Sequence, residues 1–435
     1  MATLVQVGLN YERWCYCLLS SHSLYFLLLC VFECSCDSSI ACYDLQQIPP
    51  LNAGSVSEFT ELIFRDGNIT SIPNNSLPPG LTSIELNHLA LVKIAEDAFD
   101  SSAETLGTVI IKETQFTSLP TALKKLTKLT VLFIHDTPIQ VWDTATLKQI
   151  GATVENLQLK NVTLSAWPSW ISDFVSLQSL DLSWNPLKDI PVDAFSSFKD
   201  SVRYLYLRGV GLTDVPQALS TLSSLTYLDL GNNNFTGVSV FKQITESPFA
   251  EKLSALYLDS SGLTGVATFT NLTNIRVISL SNNRISDVPA GSLSTSLTSL
   301  DLSKNILVSV PKDVAIMTSL SYLDLSNNQL TNMQPKSLNG NPISVISADA
   351  FSNLTRLRHL EIKNSQLTEF PLAFSQLPRQ TYIYFSAPNA FSCPCPAPQQ
   401  LVQWFMSVRN RWRVEGMCTD GRDIELYLSG QCEQT

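Results

Sequence analysis

The sequence predicts an α/β repeat solenoid: a stack of short coils sharing one parallel sheet, closed at each end by a disulfide-bonded cap. Three observations carry that expectation. One residue pattern recurs from Glu58 to Pro371. Ten cysteines gather at the two ends, with none between Cys42 and Cys393. And 435 residues exceed what one compact core holds, about 250–300 residues, so the chain needs several domains or a repeat array.

The recurring pattern is an apolar residue, two free positions, apolar, one free, apolar, two free, often Asn, one free, apolar. It is clearest in "LQSLDLSWNPLKDIP" (177–191), "LTYLDLGNNNF" and "LTSLDLSKNILVSVP", with weaker copies upstream such as "FTELIFRDGNITSIP". The Asn position falls at Gly67, Leu89, Thr114, Thr137, Val162, Asn185, Val210, Asn233, Ser261, Asn283, Asn305, Asn328, Asn341 and Ser365, most of them 22 to 25 residues apart. This is the period and consensus of leucine-rich repeats. The alternating "LxL" core reads as a short strand with its leucines inward. No coil can bury that row alone, so coils stack and share a core. An Asn amide can satisfy backbone groups in the turn after the strand. Val162 and Val210 cannot, so the early half is expected to be less regular.

Prolines after many units (Pro73, Pro120, Pro191, Pro216, Pro289, Pro311, Pro371) fit extended return segments. The interval from Asn233 to Ser261 grows to 28 residues, room for a short outer helix in "VFKQITESPFAEKL". The interval from Asn328 to Asn341 shrinks to 13, too short for a full coil: either the stack kinks there or a segment is missing.

Charge and composition exclude several functions. Charged residues make up 15% of the chain, its net charge is −10 and its pI about 4.9, so no basic stripe exists to neutralise nucleic-acid phosphates. Four histidines (His22, His88, His135, His359) leave little for acid–base chemistry near neutral pH. No GxSxG, HExxH, phosphate-binding glycine loop or Cys–His set occurs, and no cofactor is expected. The cysteines are spaced as CxC with no nearby His, which suits disulfides in an oxidising compartment and not zinc. Six N-glycosylation sequons agree with that compartment: Asn68, Asn74, Asn161, Asn234, Asn271 and Asn353. "LYFLLLCVF" (24–32) has the apolar length of a signal peptide, with an uncleaved N-terminal anchor as the alternative. No later stretch approaches the roughly 20 apolar residues of a membrane span. The expected organisation is a leader or anchor at 1–29, an N-terminal cap at 30–55, the repeat array at 56–371 and a C-terminal cap at 372–435.

Both flanks carry a resemblance. "FECSCDSSIACYDLQQIP" resembles the cysteine-rich N-terminal flank of extracellular leucine-rich-repeat proteins, and "NAFSCPCPAPQQLVQWF" with the later "MC" and "QC" is similar to their C-terminal flank. That class includes Slit, Toll ectodomains and lamprey variable lymphocyte receptors. The resemblance implies pairs Cys30–Cys36, Cys34–Cys42, Cys393–Cys418 and Cys395–Cys432. It implies a helix burying Leu401, Trp404, Phe405 and Val408, whose spacing suits one helical face. It also implies a curved horseshoe with its parallel β-sheet on the concave face.

In that class the free positions of "LxxLxLxx" point out from the strand row. Here they include Arg65, Glu85, Lys112, His135, Lys160, Asp301, Tyr322 and Asp324. The candidate partner-binding band is Asp181, Trp184, Tyr204, Tyr206, Arg208, Tyr227, Asp229, Tyr257 and Asp259. Tyr, Trp and Arg dominate protein–protein hot spots. The same residue types also fill these positions as simple cross-strand pairs. The strand positions from Ser179 to Ser326 carry no sequon, which leaves that face open to a protein. The reading is a secreted, non-enzymatic protein that binds a protein ligand or co-receptor. The alternatives are a non-catalytic subunit of a secreted enzyme complex and a receptor ectodomain lacking its membrane segment.

Overall fold

The computed structural model of the chain describes residues 33–36, 39–48, 60–235, 237–269, 271–325, 327–329, 356–363, 369–386, 391–408, 412–415 and 417–431. The segment 1–29, Cys30, Cys432, Asn341 and Asn353 lie outside them, and so does the short interval after Asn328. The chain forms two compact units, one from residues up to Leu187 with Ala194–Val202, the other from Lys188–Asp193 with Arg203 onward.

The first unit opens with an antiparallel pair, Glu33–Cys36 against Ile40–Leu45, stapled by the Cys34–Cys42 disulfide. From Ile40–Leu45 onward every pairing is parallel, through Glu61–Gly67, Ser83–Leu89, Thr108–Lys112, Val131–His135, Asn156–Lys160 and Ser179–Asp181. The register aligns Leu62, Ile84, Val109, Leu132, Leu157 and Leu180 in one buried row. Each buried side chain of this size contributes about 1.5–3 kcal/mol. A slip of one residue would turn the whole row to solvent, which fixes the register.

The second unit has its own parallel set with a buried row of Leu205, Leu228, Leu256, Ile278, Leu300 and Leu323, on strands Tyr204–Tyr206, Tyr227–Asp229, Ala255–Tyr257, Val277–Ser279, Ser299–Asp301 and Tyr322–Asp324. The long interval holds the expected helix, Ser239–Thr245, with Val240, Phe241 and Ile244 buried and Phe241 edge-on to Phe269 at 5.2 Å. A three-stranded parallel sheet, His359–Lys363, Tyr382–Ser386 and Trp412–Glu415, follows. The helix Gln399–Val408 buries Leu401, Trp404, Phe405 and Val408, as its spacing predicts, and Trp404 stacks on Phe374 at 6.0 Å. The Cys393–Cys418 disulfide is formed. Cys395 is disulfide-bonded as well, and its sulfur accepts a hydrogen bond from Arg422 Nη1 at 2.9 Å.

The asparagines bind coil to coil. Asn233 donates from Nδ2 to the carbonyls of Leu207, one coil back, and Leu230, its own coil, both at 2.8 Å. Its Oδ1 accepts the N–H groups of Gly211 and Leu212 at 3.1 and 3.0 Å. Asn185, Asn283, Asn305 and Asn328 repeat the arrangement.

Where Asn is missing the coils do not lose order, contrary to expectation. The main-sheet strands from Glu61 to Lys160 run five to seven residues, against three from Ser179 to Asp324. From Ser179 onward an asparagine Nδ2, of the same coil or of the next, takes the carbonyl just past the strand, including in the Val210 and Ser261 coils that lack Asn, and these strands are the short ones. In the earlier coils pairing runs on through Ile111–Ile134 and Lys112–His135. Thr114 and Thr137 hydrogen-bond each other at 3.2 Å, and Val162 is served by Asn185 of the next coil, which accepts its N–H at 3.0 Å.

Return segments are extended at Pro120, Pro216, Pro311 and Pro371, and each proline leads into a short 3-10 turn. At or just past the end of the main-sheet strands from Glu61 to Asp324 the chain turns through one left-handed residue, from Asp66 (φ 60°) through Asn161 (φ 51°) and Asn232 (φ 53°) to Asn327 (φ 54°). Asn, Asp and Gly tolerate that geometry. Trp184 holds it at φ 63° with a bulky ring, a conformation that costs on the order of 1–3 kcal/mol.

Candidate partner-binding face

Strand alternation sends residues on either side of each buried leucine outward. In the second unit this puts Tyr204 beside Tyr227 in register, and Tyr206 beside Asp229 and then Tyr257. The rings meet: Tyr227 lies 6.2 Å from Tyr204, 4.7 Å from Tyr206 and 5.1 Å from Tyr257 by centroid. Tilted ring pairs at such distances are favourable by about 0.5–1.5 kcal/mol beyond area burial. Tyr204 is 44% exposed, so the cluster has an accessible edge. Burial pushes the Tyr227 hydroxyl well above the ordinary tyrosine range, and neighbouring Tyr257 and Tyr206 push the same way, so it stays protonated.

Beside the rings Arg208 closes an internal ion network. Its Nε donates to Asp229 Oδ2 at 2.9 Å, and Nη1 and Nη2 donate to the two oxygens of Asp259 at 2.7 and 2.5 Å. The guanidinium passes over Gly231, on the coil between, where a Cβ would stand 2.6 Å from Nη2. Fork-to-fork geometry of this kind is the strong form of carboxylate pairing. Burial raises the Asp229 carboxyl above the usual range, while Arg208 and the Gly231 N–H pull it back. Asp259 and its neighbours hold Arg208 charged throughout the accessible pH range.

Seven of the nine residues singled out in the sequence therefore come together: Tyr204, Tyr206, Arg208, Tyr227, Asp229, Tyr257 and Asp259. Their roles divide. The charged three bind one another, and the tyrosines make the surface. Asp181 and Trp184 belong to the first unit. There Asp181 accepts the Ser183 N–H at 2.8 Å, and Trp184 stands 43% exposed on its left-handed backbone.

Sequence reasoning missed Gly231. Its signal was a glycine in "YLDLGNN", at the outward position where the coils on either side carry Arg208 and Asp259. On the first unit's strand face Glu85 binds Arg65 at 3.0 Å, and His135 Nε2 lies 3.0 Å from Gln158 Oε1. The sequon asparagines Asn68, Asn74, Asn161, Asn234 and Asn271 are all exposed. Among the described residues no group of three His, Cys, Asp or Glu converges as a metal site, and no helix is long and apolar enough to cross a membrane.

The leucine rich repeat family model matches residues 175–235, 295–342 and 337–390. Rat lumican is 25% identical over 340 residues, 74% of this chain and 82% of lumican. Mouse podocan-like protein 1 is 31% identical over 232 residues, 51% of this chain, and the chain spans 38% of that relative's length. Among solved structures a leucine-rich-repeat protein of Leptospira interrogans aligns with a TM-score of 0.60 at 20% identity, covering 86% of this chain and 94% of that one, a likeness of fold. Repeats, disulfides near the two ends and these likenesses together give the chain a leucine-rich-repeat solenoid fold, similar to that class of proteins in which lumican falls.

Proposed function

We propose that the chain is a secreted, non-catalytic binding protein that engages a protein partner through the tyrosine-bearing strand face of its second unit. The observation carrying this reading is the Tyr204–Tyr206–Tyr227–Tyr257 cluster, steadied by the Arg208 network and open at Tyr204. Rigid aromatic side chains bind with little ordering cost, because their rotamers are already held. The extracellular character of lumican and podocan-like relatives supports secretion, as do the exposed sequons.

The test is capture from native extracellular fluid by immobilised chain, wild type against the Tyr206→Ala, Tyr227→Ala double variant. Truncating two hot-spot tyrosines costs about 2 kcal/mol or more each, about 4 kcal/mol together, which weakens binding roughly a thousandfold and abolishes capture. Equal capture by both proteins overturns the proposal.

A further inference from the structure

From Asp66 to Asn327 the left-handed turn residue stands one place before the asparagine position of its coil. That geometry suits glycine and short polar side chains, and Asp66, Asp136, Asn232, Ser260 and Asn282 are of that kind. Two coils stand apart. Asn161 is the one residue of this row that begins an N-glycosylation sequon, Asn161-Val162-Thr163. Trp184, on the next coil, is the one large apolar residue of the row. Both belong to the first unit.

Their turns are bonded to each other. The Asn161 N–H donates to the Ser183 carbonyl at 3.0 Å, and Asn185 Oδ1 accepts the Val162 and Leu164 N–H groups at 3.0 and 3.1 Å. Trp184 falls between those two contacts, at the position equivalent to Asn161 and roughly one strand spacing, about 4.8 Å, away. It is 43% exposed, and among the described residues its indole has no ring partner and no hydrogen bond. A bulky residue at positive φ is strained, and strain of this kind persists where a contact compensates for it. The chain itself supplies no partner for the ring.

The Asn161 amide is set for a second role. Its Nδ2 donates one hydrogen to Asp136 Oδ1, one coil back, at 2.8 Å. The other hydrogen, the one that a glycan replaces, points away from that coil.

We propose that Trp184 is the platform for a glycan on Asn161. The first N-acetylglucosamine lays its apolar C–H face on the exposed indole, while the linking amide keeps its bond to Asp136. Stacking removes apolar surface of both rings from water. The sugar is tethered one coil away, so its effective concentration is high and a contact too weak to hold a free sugar suffices. Attachment takes place in the secretory pathway, so the inference rests on the secreted reading of the chain.

The experiment uses the full chain secreted from cultured eukaryotic cells, as wild type, Trp184→Asn and Trp184→Tyr. Trp184→Asn puts at the turn the residue that Asn232 and Asn282 already place there, so the coil keeps its backbone. Native protein is treated with a peptide N-glycosidase, which must reach the bond between Asn and the first sugar, and release is followed site by site by mass spectrometry. Asn161 is expected to carry a glycan, released at least fivefold faster from Trp184→Asn than from wild type. Trp184→Tyr, which keeps a ring, is expected to retain the slow rate. Release from Asn271, exposed on a return segment, is expected to match in all three proteins. Equal release from Asn161 in wild type and Trp184→Asn overturns the inference, and so does a bare Asn161 beside an occupied Asn271; in both cases secretion stands. Bare sequons throughout the chain overturn the inference and the secreted reading together.

Discussion

Arg208 crosses Gly231 so closely that a methyl group on that glycine would collide with all three outer atoms of the guanidinium, at 2.6 to 2.8 Å. The glycine carries no positive φ. Its use here is space and not backbone freedom. The obstructing atoms belong to the far end of a flexible side chain, so on substitution the arginine gives way and the coil stays.

Gly231→Ala is therefore expected to leave the repeat fold intact while breaking the bidentate contact with Asp259. Removing a well-formed, partly buried ion pair costs about 2 kcal/mol, with Asp259 left short of donors. Urea unfolding measures the loss. Salt sensitivity should fall alongside it, because the surviving tyrosine contacts are uncharged.

Asn283→Ala tests the coil-to-coil role of the turn asparagines. The side chain donates to the Leu258 and Leu280 carbonyls at 2.9 Å and accepts the Ser261 and Leu263 N–H groups at 2.9 and 3.0 Å. Truncation strands buried backbone groups on two coils, and a loss of about 3 kcal/mol is expected from the unmade bonds. Thr137→Ala, which removes one hydroxyl from a longer strand ladder, should cost about 1 kcal/mol. A reversed order in urea midpoints would contradict the account of why the two kinds of coil differ.

Acid sensitivity has an identifiable source in His135. Burial holds its imidazole below the ordinary 6.5, and the Lys112 and Lys160 charges act the same way, against the Gln158 hydrogen bond and the Asp181 charge. The unfolded chain binds the proton more readily, so stability is unaffected well above 6.5 and falls as pH drops through that value. Exposed His88 is shifted the other way, by its hydrogen bond to Asp66, and its small contribution is present below 6.5 and lost as pH rises. His135→Gln should accordingly lose less stability than wild type between pH 7 and pH 5.5, by urea midpoint. A steeper loss in the variant would reverse the sign and refute it.

Much of the architecture was legible because it rests on periodicity. The 22-to-25-residue spacing marks the strands, and the spacing of Leu401, Trp404, Phe405 and Val408 marks the buried face of a helix. The sulfur pairs Cys34–Cys42 and Cys393–Cys418 followed from the resemblance of the flanks. The pairing inside the candidate site was not legible. A repeat pattern says that Arg208, Asp229 and Asp259 point outward, but not that they bind one another, since that contact spans three coils and depends on the absent side chain of Gly231. The regularity of the early coils was misjudged for a related reason. Losing the turn asparagine was expected to loosen a coil, whereas a strand can extend and use the same carbonyls on its neighbour.

Each turn amide is held half by its own coil and half by the one before, and meets the same kinds of carbonyl and N–H at every step. One asparagine coil is therefore interchangeable with the next at the level of its bonds. Whole coils can be gained or lost by recombination with the cut ends rejoining like for like, and coils of 22 and 23 residues, Asn283 to Asn305 and Asn305 to Asn328, close the same pair of carbonyl bonds. Length in such an array can therefore drift by whole units without disturbing the bonds at any turn.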